Sequence, residues 1–395
     1  MNNQLLNKEV QQFIIENLDK DLNKIILSGS PFPNISVQEL AEQIIGRKQI
    51  EYKLPTFFKT DEILFPKKLN LEQSSSEITG RFKSQIIDGQ SIVDLTGGFG
   101  IDSYYFAKTF DHVIYCEQNK TLCDISRHNF EVLGIKNIIC QCADSIEWLS
   151  SHSEKFDWIY LDPARRDLEQ RKVFLLEDCT PDILKNLDLL FSRTDHILLK
   201  LSPMIDISSV VYKIPFVKHL FVVAIKNEVK ELLVIIEKYF DREIELSTIN
   251  FSKETEIFKS KYPDIPQTTV TPTKKYLYEP NSAILKSGLF NSLSNKLNLS
   301  KLHTNTHLYT SDEIINFPGR CFEIISQSKV NKKEIKKQIP LLKANVAIRN
   351  FPGTVFDLRK KFKLRDGGTD YLFFTTNLNE EHIVLYCKKI SPNQD

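Results

Sequence analysis

Val93-Asp94-Leu95-Thr96-Gly97-Gly98-Phe99-Gly100-Ile101-Asp102 is the stretch whose reading decides the fold. An apolar run ends in an acid, enters a glycine-rich turn and opens into a helical pattern. Glycines let the backbone approach a ligand at the carboxyl edge of a sheet. Outward from this point, short apolar runs at 91–95, 113–116, 138–141, 158–161 and 196–201 alternate with segments long enough for crossover helices. That alternation predicts a mostly parallel sheet with helices on both faces. Runs at 220–225 and 231–236 then flank Lys226-Asn227, too short a link for a crossover, so an antiparallel hairpin is expected there. The predicted class is therefore α/β, a Rossmann-like sheet, parallel with a terminal antiparallel hairpin.

Two kinds of ligand suit a glycine-rich turn, and the acids separate them. Asp94, just before the glycines, would repel a pyrophosphate but can accept a hydrogen bond from the ammonium of a methionine moiety. Ser103 stands where a dinucleotide pattern has its third glycine. Glu117 ends the second predicted strand, where a carboxylate can accept both ribose hydroxyls. Asp144 follows the third and can accept from an adenine amine. Any one of these acids alone reads as a solvated loop residue, but three stand in register at successive strand ends. The expected cofactor is S-adenosylmethionine, held by Asp94, Thr96, Gly97, Gly98, Gly100, Glu117 and Asp144. A parallel sheet closed by an antiparallel hairpin is also the arrangement of class I methyltransferases, whereas dehydrogenase-type sheets are normally parallel throughout.

After the fourth apolar run comes Leu161-Asp162-Pro163-Ala164-Arg165-Arg166. It resembles the Asp-Pro-Pro-aromatic loop of amino-group methyltransferases acting on nucleic-acid bases. There the acid and the first proline's carbonyl accept hydrogen bonds from a base amine and align its lone pair with the methyl group. Proline fixes the backbone so that these acceptors are preorganised. Asp162, Pro163 and Arg165 are the candidate catalytic residues. The sequence departs from the motif at Ala164, in place of the second proline, and at Arg165, in place of the aromatic residue; an arginine can stack through its guanidinium plane or contact a phosphate. Attack through cytosine C5 needs a nearby nucleophilic cysteine, and neither this loop nor residues 201–204 contain one.

At 395 residues the chain exceeds the usual limit of a single core. Its 41% hydrophobic and 26% charged content is ordinary for a globular protein. Net charge is only +1, yet residues 326–395 hold 14 Lys/Arg against 7 Asp/Glu, while residues 80–240 lean acidic. No run of 18 apolar residues exists, so no membrane span is expected. The N-terminus lacks the pattern of a signal peptide, and a reducing, cytoplasmic setting is expected. The seven cysteines include no Cys-x-x-Cys pair, so no metal site is expected, and Cys140 and Cys142 read as small packed hydrophobes.

The first 75 residues read as helical. Ser36-Val37-Gln38-Glu39 is a capping box with Gly46 as the C-cap, and Ser74-Ser75-Ser76-Glu77 is a second box starting a helix to about residue 87. The expected division is a helical region at 1–75, a Rossmann-like domain at 76–240, a linker with a small segment at 241–325, which the resemblance given below implies is ferredoxin-like, and a basic module at 326–395. In the last part, 346–349, 371–375 and 383–387 read as strands, 356–362 as a basic helix and 366–368 as a turn.

Taken in order, residues 71–79, the Leu95-Thr96-Gly97-Gly98-Phe99-Gly100 turn, Asp162-Pro163-Ala164-Arg165-Arg166, Arg349-Asn350-Phe351-Pro352 and Leu364-Arg365-Asp366-Gly367-Gly368 resemble a bacterial family. Its members are class I methyltransferases with a C-terminal THUMP-like domain, in some preceded by a ferredoxin-like segment. The resemblance implies that Gln73, Ser76, Thr79 and Arg81 close over the methionine end of the cofactor. THUMP domains proper bind RNA, so RNA, ribosomal or transfer, is the implied acceptor. Lys360, Lys361, Lys363, Arg365 and Arg349 are the candidate phosphate contacts. The expected reaction is methylation of an exocyclic amine in structured RNA. The rival readings are a protein or small-molecule acceptor, and an RNA-binding protein with purely structural S-adenosylmethionine. Oligomeric state is not legible.

Overall fold

Strand β1 (Ser91–Asp94) ends at Asp94, and the glycine turn delivers the chain into a helix at Ile101–Phe106. Parallel to β1 run β2 (His112–Cys116), β3 (Ile138–Gln141), β4 (Trp158–Leu161) and β5 (His196–Leu201), in the order β5-β4-β1-β2-β3. Ile92, Val93, Ile159, Leu161, Ile197 and Leu199 are wholly buried, as strands covered on both faces require. The order turns one way from β1 toward β2 and the other way toward β4. The carboxyl ends of β1 and β4 therefore flank a topological switch point, the usual ligand crevice of such sheets.

The computed structural model describes residues 2–165, 176–264 and 267–391. The chain divides into two compact units: Met1–Phe216 with Val234–Phe240, and Val217–Leu233 with Asp241–Asp395. None of the described helices is long and apolar enough to cross a membrane.

In the first unit the N-terminal helices pack on the helix that follows the glycine turn, with Phe57 edge-on to Tyr104 and tilted against Phe99. The Ser36–Glu39 capping box forms as expected. Gly46 does not end this helix, which runs over Val37–Ile50. The glycine serves close packing instead: a Cβ there would lie 2.4 Å from Cβ of Phe65. Gly46→Ala is accordingly expected to destabilise the protein. The gain in helix propensity is about 1 kcal/mol, against an overpacking cost of about 1–3 kcal/mol. A lower melting temperature by circular dichroism is the expected result, and a higher one would show that Phe65 gives way freely.

The second box also shifts. Ser76, not Ser74, caps the helix Glu77–Gln85, and its N3 partner is Thr79. Three successive serines each suit a cap. The register is fixed elsewhere, because the Glu77 carboxylate accepts from the amide of Thr56 at 3.0 Å and from its hydroxyl at 2.9 Å.

In the second unit, β6 (Val217–Ile225) and β7 (Glu228–Glu237) turn at Lys226 and Asn227, both left-handed at φ 50° and 64°. This is the anticipated hairpin. The end of β7, counted with the first unit, lies beside β5. Residues 244–262, read from sequence as connector, form β8 (Ile244–Phe251), parallel to β6, and β9 (Thr255–Tyr262), antiparallel to β8. Ser247, Thr248 and Asn250 are buried in β8 and break the apolar run that would have marked it.

The rest of this unit is a second sheet. Its strands are β10 (Tyr276–Pro280), β11 (Ser300–His303), β12 (Thr306–Ser311), β13 (Gly319–Lys329), β14 (Asn345–Arg349), β15 (Asp370–Thr376) and β16 (His382–Ile390), in the order β11-β12-β10-β13-β16-β15-β14. β14, β15 and β16 correspond to the three C-terminal strands expected from sequence, and β13 was not anticipated. Helices Lys332–Gln338 and Val355–Phe362 cover one face through Ile335, Leu358 and Phe362, against Leu372, Phe374 and Val384. Phe373, one residue out of phase, belongs to the opposite cluster with Leu277, Phe322 and Leu385.

Candidate functional site

Asp94 is 1% exposed. One carboxylate oxygen accepts from the Thr96 amide at 3.0 Å, and the other from the Ser103 hydroxyl at 2.6 Å. Burial pushes its carboxyl up to about 7; the Ser103 and Thr96 bonds oppose this, and the negative fields of Asp102 and Asp162 add to it. Among the described residues, no cation hydrogen-bonds to Asp94. A buried carboxylate in this condition suits an incoming ammonium.

The glycines beside it have distinct tasks. Gly97 lets the turn lie on the Tyr115 ring, where a Cβ would come within 2.3 Å. Gly98 is left-handed at φ 54° and faces open space, with nothing nearer to a Cβ than the Thr96 carbonyl at 3.8 Å. Its amide donates to Oε2 of Glu117 at 2.9 Å, and its carbonyl accepts from the hydroxyls of Tyr115 at 2.6 Å and Ser126 at 3.2 Å. Oε1 of Glu117 accepts from the Asn119 amide at 2.7 Å. Gly100 is the left-handed N-cap of helix Ile101–Phe106. The turn and the Glu117 carboxylate thus hold one another in place.

Asp144 caps the helix Ser145–Ser151, its Oδ1 accepting from the amides of Ile146 and Glu147. Among the described residues, Oδ2 accepts no hydrogen bond. Ser76 and Thr79 engage each other in their capping box, and Thr79 is 2% exposed, so their hydroxyls serve the helix end first.

At the end of β4 the Asp162 amide donates to Oγ1 of Thr96 at 2.6 Å. Oδ2 of Asp162 is ion-paired with Lys200 on β5. A further ion pair, this one buried, was missed by sequence reasoning. Lys83, 0% exposed, stands 3.2 Å from Oδ1 of Asp102, and Ser75 and Tyr160 each donate to Oδ2 at 2.7 Å. Burial alone would raise the Asp102 carboxyl, but Lys83, then Lys200, and the two hydroxyls hold it below its ordinary value. A lysine inside the buried run His-Ile-Leu-Leu-Lys-Leu was the available sequence signal for Lys200. Arg165 is described in its backbone only, and Arg166 lies outside the described residues.

Cys140 keeps its thiol, but Cys142 is joined to Cys123 in a disulfide, a correction to its reading as a packed hydrophobe. The pairing forms because the helix Lys120–Val132 brings Cys123 against the end of β3. Among the described residues, no group of three or more His, Cys, Asp or Glu is placed to hold a metal.

A protein from Porphyromonas gingivalis W83, assigned as a methyltransferase and solved by crystallography, is 31% identical over 99% of both chains and superposes with a TM-score of 0.87. Family profiles match residues 89–187 (RNA cap guanine-N2 methyltransferase), 276–318 (ferredoxin-like domain) and 319–389 (THUMP domain-like). The chain belongs to the class I S-adenosylmethionine-dependent methyltransferases with ferredoxin-like and THUMP-like domains. An uncharacterised S-adenosylmethionine-dependent methyltransferase of Mycobacterium tuberculosis is 21% identical over 75% of this chain and 80% of its own length. An uncharacterised RNA methyltransferase of Mycoplasma mobile is 30% identical over 37% of this chain, and that match spans only 41% of the Mycoplasma protein.

In the methyltransferase's THUMP-like part, Lys360, Lys361, Lys363 and Arg365 are exposed, along the end of helix Val355–Phe362 and just past it. Arg349 behaves differently. It is ion-paired at 2.6 Å with Glu279, itself 2% exposed, which also accepts from Arg320 Nε at 2.6 Å. Two arginines neutralise one buried carboxylate, so Arg349, though partly exposed, is committed to an ion pair that, among the described residues, the other four cations lack.

Proposed function

We propose that this methyltransferase acts on an exocyclic amine of a base in structured RNA, ribosomal or transfer. The observation that carries the reading is Asp162-Pro163 at the switch point, with its amide fixed by Thr96, the same hydroxyl that neighbours Asp94. The match of residues 89–187 to a guanine-N2 methyltransferase profile supports an amine, and the Mycoplasma relative's description supports RNA.

S-adenosylmethionine, when bound, supplies a methyl group activated on a sulfonium. The buried, cation-poor Asp94 fits its ammonium, Glu117 its ribose hydroxyls, and Oδ2 of Asp144 its adenine amine. Gly97, Gly98 and Gly100 give the close backbone approach, and the helix begun by Ser76 and Thr79 closes the methionine end. Asp162 and the Pro163 carbonyl accept from the acceptor amine and hold its lone pair in line. Arg165 takes the place where an aromatic residue would stack on the base. Mass spectrometry of RNA nucleosides from a deletion strain and its parent tests this directly. Loss of one methylated base is expected; an unchanged RNA profile beside a lost protein or small-molecule methyl mark overturns the RNA reading.

Lys360, Lys361, Lys363 and Arg365 serve as phosphate contacts in this proposal. Each contact releases counterions, so log affinity for RNA falls with log salt at a slope of about −0.7 to −0.9 per contact. Changing all four to Gln is expected to flatten the slope by roughly three units and to leave S-adenosylhomocysteine binding intact. An unchanged slope with a lowered melting temperature would make the helix structural.

A further inference from the structure

Lys200 has no part in the reaction as described so far. It sits in β5 among Leu198, Leu199 and Leu201, each at most 3% exposed, and its own side chain is 12% exposed. An ammonium in such a strand is costly unless an anion meets it. At hydrogen-bond range it meets Oδ2 of Asp162, and its field also reaches Asp102. Asp162, at 34% exposure, is more open than its partner. Its amide is held by Thr96 from the opposite side. Backbone and one carboxylate oxygen are therefore both fastened from within the fold. Among the described residues, Oδ1 accepts no hydrogen bond.

We propose that Lys200 is a positioning residue for methyl transfer: its ammonium holds Oδ2 of Asp162 so that Oδ1 is turned to the acceptor amine. This rests on Asp162 being the aligning residue proposed above. A carboxylate with two equivalent oxygens would rotate about its last torsion and present either to the base. Fixing one oxygen leaves a single acceptor of fixed direction, and alignment of this kind raises the rate without adding affinity.

The test is a double-mutant cycle with the full-length enzyme, S-adenosylmethionine and RNA from the deletion strain. Lys200→Met is expected to lower kcat about 30–100-fold, with KM for RNA and S-adenosylhomocysteine affinity within about twofold. Lys200→Arg, which keeps a cation that can hold the oxygen, is expected to recover most of the loss. In an Asp162→Ala background, Lys200→Met should change kcat by less than about twofold, because its effect passes through that carboxylate. A wild-type kcat for Lys200→Met, or an equally large loss in the Asp162→Ala background, overturns the proposal. If Lys200→Met melts below the assay temperature, Lys200→Gln decides. A kcat loss at unchanged cofactor affinity supports the proposal, and a parallel loss of both overturns it. An active Asp162→Ala enzyme would instead defeat the alignment reading itself, whatever Lys200 does.

Discussion

Asp162→Ala is expected to cut methyl transfer to RNA by about 100–1000-fold, the loss typical of one preorganised polar group at a reacting centre. RNA and cofactor affinity should stay nearly unchanged. The reason lies in how the loop is held: Thr96 bonds the Asp162 amide, which the substitution keeps. The variant does leave the half-buried Lys200 without this carboxylate, so some stability is lost too, and the assay belongs well below the melting temperature. Asp162→Asn is the companion that keeps an oxygen for Lys200. Complementation of a deletion strain with each variant, read by nucleoside mass spectrometry, is the measurement. Persistence of the modified nucleoside with Asp162→Ala would remove Asp162 from the alignment role.

The second large effect concerns Asp94. Asp94→Asn is expected to weaken S-adenosylhomocysteine binding by about 2–3 kcal/mol, as when a charged hydrogen bond is lost from a buried site. The pH dependence is the sharper test. With its carboxyl raised to about 7 in the folded protein, Asp94 is largely protonated below that pH. Its burial costs nothing below the unfolded value near 3.8, and the penalty grows as pH rises toward 7. An ammonium ligand needs the ionised form, so binding near pH 6 must expel a proton. Calorimetry in buffers of different ionisation enthalpy should therefore detect proton release that fades above about pH 8 and is absent in Asp94→Asn. Binding of equal strength at pH 5.5 and 8, without proton release, would place the ammonium elsewhere.

What sequence could and could not disclose follows from range. The places of Asp94, Glu117 and Asp144 at or just past strand ends were legible because each ends or follows a local apolar run, and a strand's carboxyl end is a local property. Pro163 and the glycines carry their conformations with them. Lys200 and Asp162 are 38 residues apart and meet only because β4 and β5 are neighbours. Lys83 and Asp102 meet through the packing of two helices. Arg349 looked like a surface cation because nothing near it in sequence shows Glu279, which β10 supplies. Strand β8 was missed for the opposite reason: its buried positions hold hydrogen-bonded polar side chains, Asn250 among them, bonded to Glu256.

Thr96 accepts from the acceptor loop with the same hydroxyl that lies 3.4 Å from Asp94, while its amide is bonded to Asp94 directly. The consequence is evolutionary as much as mechanical. On the proposed reading, one side chain of three heavy atoms joins the carboxylate that meets the donor to the loop that orients the acceptor. On that reading, residues beyond Pro163 and the cations of the C-terminal part can change with the target base while the donor contacts stay as they are. Thr96 is bonded to both sides, so on the same reading a substitution there is expected to disturb donor and acceptor together.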